Sequence, residues 1–256
     1  MKELCKRVER DHNVKILFAV EAGSRAWRMH SKDSDYDVRF VFVRPMEEYI
    51  QISQPKDVIN IAFDSEKNPC PVPGALYDFC GFDIIKFVKL LSTSNPSTIE
   101  WLMSDIVYLG EQNLVFKRFA LENFNKVSLY HHYKSMCRGN FLKYIKSGDL
   151  VTFKKYLYSI RGLINAKWVL QKKSIPPIIF TETLKKMQDS IPEKIYNKLF
   201  EIIDLKTQGL EKDRINNIIE FDNYIENFLN DDIQPESENS RVSLDVLNSE
   251  LRKIII

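Results

Sequence analysis

No run of about 18 apolar residues occurs in the chain, so a membrane-spanning helix is not expected. The opening "MKELCKRVERDHN" lacks the apolar stretch of a signal peptide, which leads to the expectation of a soluble, cytoplasmic protein. Cysteine is scarce. Cys5, Cys70, Cys80 and Cys137 form no C-x-x-C pair, so reduced thiols are expected in preference to disulfides or a zinc site. Four histidines, two of them adjacent (His131, His132), offer little for a histidine-based metal centre. No internal repeat and no low-complexity tract is found.

What is present is enough for a folded body. At 256 residues and 44% hydrophobic content the chain can bury a sizeable core in one large domain or two smaller ones. A formal net charge of +2 conceals an uneven distribution. Residues 113–175 hold 13 Lys and Arg against 2 Asp and Glu, whereas residues 211–256 hold 5 against 11. The basic middle suits a polyanion such as a nucleoside triphosphate or RNA, and the plainer alternative is that its lysines coat solvated helix faces.

The first third reads as mixed α/β. "MKELCKRVERDH" has helical spacing with Leu4, Cys5 and Val8 on one side, and "VKILFAVEAG", "YDVRFVFVRP", "DVINIAFD" and "GALYDFCGF" are strand candidates. The turn-rich "SEKNPCPVPG" separates the last two, and a helix from Asp83 as N-cap runs to Asn95-Pro96. After about residue 110 helix-period patterns dominate, with helices expected over 181–189, 192–208 and 210–229 after a break at Pro176-Pro177. In "KKYLYSIRGLINAKWVLQ", Leu157, Ile160, Ile164 and Trp168 form an apolar stripe while Lys154, Tyr158 and Arg161 share an adjacent face. "NDDIQPESENS" reads as an acidic linker and "LDVLNSELRKIII" as a short docking helix. The expected fold class is α+β: a small mixed sheet flanked by helices over residues 1–110, a helical domain over 111–230, and a linker with a terminal helix over 231–256.

The chemistry concentrates in "GSRAWRMHSKDSDYDVRFVFV", where Asp33, Asp35 and Asp37 alternate before an apolar run. A calcium loop of EF-hand type fails on two positions: counting from Asp33, the sixth is Val38 where glycine is needed and the twelfth is Arg44 where glutamate is needed. A solvated turn accounts for Asp33. It accounts less well for Asp37, because a period of two directs Asp35 and Asp37 to one face at a strand's start, and such a pair is unfavourable without a cation between its members. Mg²⁺ takes one or two carboxylates together with substrate phosphates, and a pair of such ions serves both attack and leaving group. Upstream, Gly23 permits a tight turn with close backbone approach, and Ser24 offers a hydroxyl and an N–H to phosphate.

Glycine and serine after a strand, ten residues, then Asp-x-Asp leading into an apolar strand resemble the signature of the DNA polymerase β nucleotidyltransferase superfamily. The longer string "GSRAWRMHSKDSDYDVRFVFVRP", with "DFCGFDIIKFVKLLSTSNPSTIEWL" and "KKYLYSIRGLINAKWVLQKKSIPP", resembles more narrowly the YcgL or RlaP family, whose second name is linked with RNA repair. The resemblance reaches from about residue 15 to residue 180 and leaves the acidic C-terminal portion uncovered.

The resemblance implies a third carboxylate on a neighbouring strand. Of Asp64, Asp78 and Asp83, Asp78 is chosen, because it lies in "LYDFC" and matches the family's Asp before the Lys86-Phe87 helix, whereas Asp83 suits an N-cap and Asp64 a strand end. Asp35, Asp37 and Asp78 are then the metal-binding catalytic set, expected to take two Mg²⁺ ions with Mn²⁺ as the alternative. Gly23, Ser24, Arg25, Arg39, Lys155, Tyr158 and Arg161 are the nucleotide contacts, with Lys154 beside them. Arg39 shares the Asp35 and Asp37 face by parity, and its structural alternative is an ion pair with an unused acid such as Asp33. Arg28 stands where many relatives have glycine. Asn95, Pro96, Glu100 and Trp101 also match the family, in structural roles: Asn95-Pro96 is expected to end one helix and start another, and Trp101 to pack the domain junction.

The expected activity is transfer of NMP from an NTP to an acceptor hydroxyl with release of pyrophosphate. RNA 3′ ends are the first acceptor considered, and nucleotidylation (AMPylation) of a protein or small molecule is the alternative. A catalytically silent nucleotide- or RNA-binding module is the rival from another class. No membrane partner is expected.

Overall fold

The computed structural model describes residues 1–71, 75–148, 151–210, 214–236 and 243–256. The chain divides into two compact units. The first holds residues 1–26 and 34–124 with the C-terminal helix, and the second holds residues 27–33 and, among those described, 125–236.

In the first unit, α1 (Lys2–His12) buries Leu4, Cys5 and Val8 and ends at Asn13, whose left-handed backbone (φ 50°) is a conformation asparagine tolerates. Then follow β1 (Lys15–Glu21), the short α2 (Gly23–Ala26), β2 (Tyr36–Val43), α3 (Met46–Tyr49), β3 (Val58–Phe63), β4 (Tyr77–Asp83), α4 (Ile84–Ser92), α5 (Pro96–Met103), β5 (Val107–Gly110) and α6 (Leu114–Asn123). The strands form one mixed sheet in the order β3-β4-β2-β1-β5, with β2 and β4 parallel and the remaining pairs antiparallel. Central β1 and β2 are covered on both faces, which is why they read as near-continuous apolar runs.

On one face, Leu4, Cys5 and Val8 join Ile16, Val38, Phe40, Phe42 and Phe79 in a core cluster. On the other, Phe18 meets Phe87 edge-on with ring centroids 5.8 Å apart, and Phe87 also packs on Phe116 at 6.0 Å. Trp101 packs 4.5 Å from Phe82, so its structural role lies within this unit's core. Asp83 caps α4 by accepting from the Ile85 N–H at 2.8 Å, and Asn95 caps α5 with Pro96 at the first helical turn. α6, which sequence assigns to the helical portion, instead packs Phe116 into this core.

The second unit comprises α7 (Lys126–Asn140), a π-helical turn at Phe141–Ile145, α8 (Phe153–Lys172), α9 (Phe180–Lys186), a 3₁₀ turn at Gln188–Ser190, α10 (Glu193–Thr207) and α11 (Ile219–Asn230). The helix expected over 192–208 is present within a residue, the one expected over 181–189 ends as an α-helix at Lys186 and continues in the 3₁₀ turn, and the helix expected over 210–229 begins only at Ile219. Residues just before it are extended instead, since Arg214 bridges Thr152 and the Ile215 N–H donates to the Val151 carbonyl at 3.1 Å. Residues 211–213 lie outside the described ones. So do 237–242 of the acidic stretch and 72–74 of the turn-rich stretch; residues 231–236 have no regular structure. The expected terminal helix is α12 (Asp245–Ile255), which packs on α4 and α6 and receives the Asn113 amide on Glu250 at 2.7 Å. Among the described residues, no helix is long and apolar enough to cross a membrane.

α7 and α8 make the closest helix pair of the second unit, and Gly162 is the reason. A Cβ at that position would sit 2.8 Å from the Cys137 amide nitrogen and 2.9 Å from the Tyr133 carbonyl oxygen. Gly162→Ala must separate two backbones, so it is expected to destabilise the protein by about 1–3 kcal/mol. The check is a lowered urea midpoint at unchanged m-value; a wild-type midpoint would show that the helices have room.

Candidate active site

The parallel register of β2 and β4 aligns Tyr36 with Tyr77 and Asp37 with Asp78. The two tyrosine rings stack at 5.3 Å, and one residue on, the two carboxylates share the opposite face. Arg39, two residues after Asp37, lies on that face as parity requires. Its Nη2 donates to Asp37 Oδ1 and to Asp78 Oδ2, both at 2.9 Å. Its Nη1 donates to the Val38 and Asp78 carbonyls at 3.2 and 3.0 Å. The structural alternative, an ion pair with an unused acid such as Asp33, is met instead by Asp37 and Asp78; Asp33 is an exposed turn residue. With side chains 18% (Arg39), 28% (Asp37) and 31% (Asp78) exposed, the pairing is partly shielded from solvent.

Asp37 is held from its other side by β1. The buried Glu21 accepts from the Asp37 N–H at 2.8 Å and from the Tyr108 hydroxyl, while the Ser104 hydroxyl donates to the Glu21 carbonyl at 2.7 Å. Burial pushes the Glu21 carboxyl up to about 7, against the opposing pull of the bonds from Tyr108 and the Asp37 amide. Two residues on, Gly23 adopts φ +57°, and a Cβ there would lie 1.9 Å from Asp37 Oδ2. The turn thus carries glycine because the Asp37 carboxylate occupies the place of a side chain. Ser24, next in α2, is buried.

Asp35 lies one residue before β2 and is exposed. Its carbonyl accepts from Arg25 Nε at 3.1 Å, and the Ser34 carbonyl accepts from Arg25 Nη2 at 2.7 Å. The same guanidinium lies 3.8 Å from the centre of the Tyr36 ring, so Arg25 clamps the return of the loop onto the start of the strand. Among the described residues, no three His, Cys, Asp or Glu side chains form a ready metal cage; the carboxylates brought to one cation are Asp37 and Asp78.

The helical unit gathers a second set. Arg161 is buried with its guanidinium 3.7 Å from the centre of the Trp27 ring, Tyr158 meets Trp27 edge-on at 5.5 Å, and Lys154 Nζ lies 5.7 Å from the Tyr158 ring. The face expected on α8 therefore exists, with Trp27 as an aromatic partner. Lys155 points elsewhere, 3.6 Å from the Tyr144 ring, with Lys143 at 5.0 Å from the same ring. Arg28 has φ 58°, a left-handed conformation at the position where the family resemblance places glycine. His131 and His132 are exposed.

Sequence reading did not single out Glu21, Tyr108, Ser104 or Tyr144. For Glu21 no local signal exists, since its partners lie 16 and 87 positions away. A signal for the Asp37 and Asp78 alignment was available in the recurring Tyr-Asp pairs at 36–37 and 77–78, each opening a strand.

The chain is 36% identical over 213 residues, 81% of its length, to an uncharacterized protein YcgL of Bacillus subtilis, of which the match covers 76%. The model of the RlaP family, described as an RNA repair pathway DNA polymerase beta family, matches residues 1–253 and so takes in the Gly23 turn, the Asp37 and Asp78 strands and the helical unit alike. With both compact units inside that match, this chain belongs to the RlaP family of DNA polymerase β-like proteins.

Proposed function

We propose that this protein transfers a nucleoside monophosphate from an NTP to an acceptor hydroxyl and releases pyrophosphate. The observation that carries the reading is the β2–β4 register that sets Asp37 beside Asp78 against the Gly23 turn. Two carboxylates drawn to one cationic nitrogen are the hard oxygen donors that Mg²⁺ takes alongside substrate phosphates, so these residues fit the ion. Held by Asp37, Asp78 and Asp35, a pair of Mg²⁺ or Mn²⁺ ions would lower the acceptor hydroxyl's pKa and offset the charge of the leaving pyrophosphate.

The chain's own residues supply position. Glu21 fixes the Asp37 main chain, Gly23 keeps the approach to Asp37 open, and Arg25 closes the loop that ends at Asp35. Ser24 and the N–H groups of its turn hold the triphosphate so that the acceptor oxygen attacks the α-phosphorus in line. Transfer of this kind depends mostly on positioning and charge stabilisation, which asks for few further groups.

The acceptor we propose is an RNA 3′ end. Residues 113–175 carry an excess of 11 positive charges, and within them Lys143 and Lys155 flank Tyr144, a pairing of phosphate-binding cations with a ring on which a base can stack. The test is to incubate the protein with each α-labelled NTP, Mg²⁺ and, separately, cellular RNA, protein and metabolites. Label is expected on RNA, and exchange of Lys143 and Lys155 for alanine is expected to weaken RNA binding and reduce its salt dependence by about one counterion per lysine. Label on protein or metabolites, with no RNA bound at low salt, would instead establish the nucleotidylation alternative. Nucleotide binding without pyrophosphate release would leave the silent module.

A further inference from the structure

We infer that Arg39 is the resident counter-ion of the Asp37 and Asp78 pair, and that its guanidinium and a divalent cation compete for the same carboxylate oxygens, so that metal entry is coupled to arrival of the triphosphate. The inference rests on the reading of Asp37 and Asp78 as metal ligands and adds a residue that governs when they act as such.

The geometry is specific. One nitrogen, Nη2, contacts Asp37 Oδ1 and Asp78 Oδ2 at equal distances of 2.9 Å, so it takes one oxygen from each carboxylate of the pair. The guanidinium is also tied by Nη1 to two main-chain carbonyls, of Val38 and Asp78, so the β2–β4 frame fixes its place. This is unlike an exposed lysine pair that breaks and reforms in water. Two carboxylates held in cross-strand register repel each other, and in a partly buried setting a cation must balance them. Without metal, that cation is Arg39.

Arginine stays protonated at any working pH, so the site cannot be freed by loss of a proton. The guanidinium has to move to another anion. A triphosphate offers one, since phosphate oxygens accept the same planar fork that carboxylates do. Arg39 then passes from the carboxylates to the substrate as the metal takes its former place, and the nucleotide contact expected of Arg39 and its ion pair are two positions of one side chain. Metal alone meets an occupied site and binds weakly; metal with NTP meets a vacated one.

The experiment is Mn²⁺ titration followed by electron paramagnetic resonance, without nucleotide, on the wild-type protein, Arg39→Gln, Arg39→Lys and Asp78→Asn. Arg39→Gln is expected to bind Mn²⁺ at least about tenfold more tightly than wild type, as loss of a competing ion-pair partner implies. Arg39→Lys, which keeps the charge but not the fork, falls between. In EDTA, Arg39→Gln is expected to melt below wild type, and Mn²⁺ is expected to raise its melting temperature more. Should Arg39→Gln fold only in the presence of Mn²⁺, that dependence supports the same conclusion. If Asp78→Asn loses Mn²⁺ while both Arg39 variants bind no more tightly than wild type, this inference fails and the metal reading stands. If no variant, Arg39→Gln included, binds Mn²⁺, both fail together.

Discussion

Asp37→Asn is expected to lower nucleotidyl transfer by about a thousandfold or more, with little loss of fold, on the scale seen when a group that stabilises transition-state charge is removed. Asparagine has the shape of aspartate and can still receive Arg39 on its amide oxygen, and the Asp37 N–H to Glu21 bond is untouched because it comes from the main chain. What disappears is the negative charge on Asp37, and with it one of the three carboxylates proposed to hold metal. Arg39 retains Asp78 at 2.9 Å, so the stability change is expected to stay within about 1 kcal/mol, the scale of a partly exposed ion pair. Pyrophosphate release in single turnover, with circular dichroism on the same samples, separates the effects. Release at the wild-type rate from a folded Asp37→Asn protein would remove Asp37 from the chemistry and with it the catalytic assignment made here.

Gly23→Ala is expected to damage both fold and activity, through two costs that add at one position. The left-handed backbone at φ +57° is disfavoured for alanine by roughly 1–2 kcal/mol. The new methyl would also stand 1.9 Å from Asp37 Oδ2 and 2.7 Å from its Cγ, well inside contact distance, so the turn or the carboxylate must give way. If the turn moves, it strains the Ala22 N–H bond to the Asp37 carbonyl, 2.8 Å long, which joins the turn to β2. If the carboxylate moves, it leaves its alignment with Asp78. A displacement near 1 Å at a reacting centre costs about a hundredfold in rate, so Gly23→Ala should lose activity by that factor or more even where the protein survives with a lowered melting temperature. Wild-type melting and wild-type turnover together would show that the turn has slack which the geometry denies.

The sequence made several structural features readable because they depend on neighbours along the chain. The α1 face of Leu4, Cys5 and Val8, the strands ending at Glu21 and Val43, the Asp83 and Asn95 caps and the α8 face of Lys154, Tyr158 and Arg161 all follow from period, propensity or capping chemistry within a few residues. Other features were illegible for an equally physical reason. β5 is four residues long, too short for a pattern, and exists because the edge of β1 accepts it. The chain before Ile219 has helix-compatible composition, yet it is drawn out into an extended segment by contacts with Thr152 and Val151. The π-helical turn at Phe141–Ile145 leaves no mark in the sequence at all.

By itself, the sequence determined which chemistry is on offer: a glycine turn, alternating carboxylates, a buried strand behind them and a basic helical stretch. It could do so because residue type and local period decide those properties. Only the tertiary structure decided which groups meet. Asp78 reaches Asp37 because β2 and β4, 41 residues apart at these positions, pair in parallel register. Glu21 anchors Asp37 because β1 lies beside β2, and Gly23 is obligatory because the Asp37 carboxylate packs against it. Arg39, readable as a phosphate contact from its parity, turned out to lie across both carboxylates, since the β2–β4 register sets Asp37 and Asp78 side by side within reach of its guanidinium.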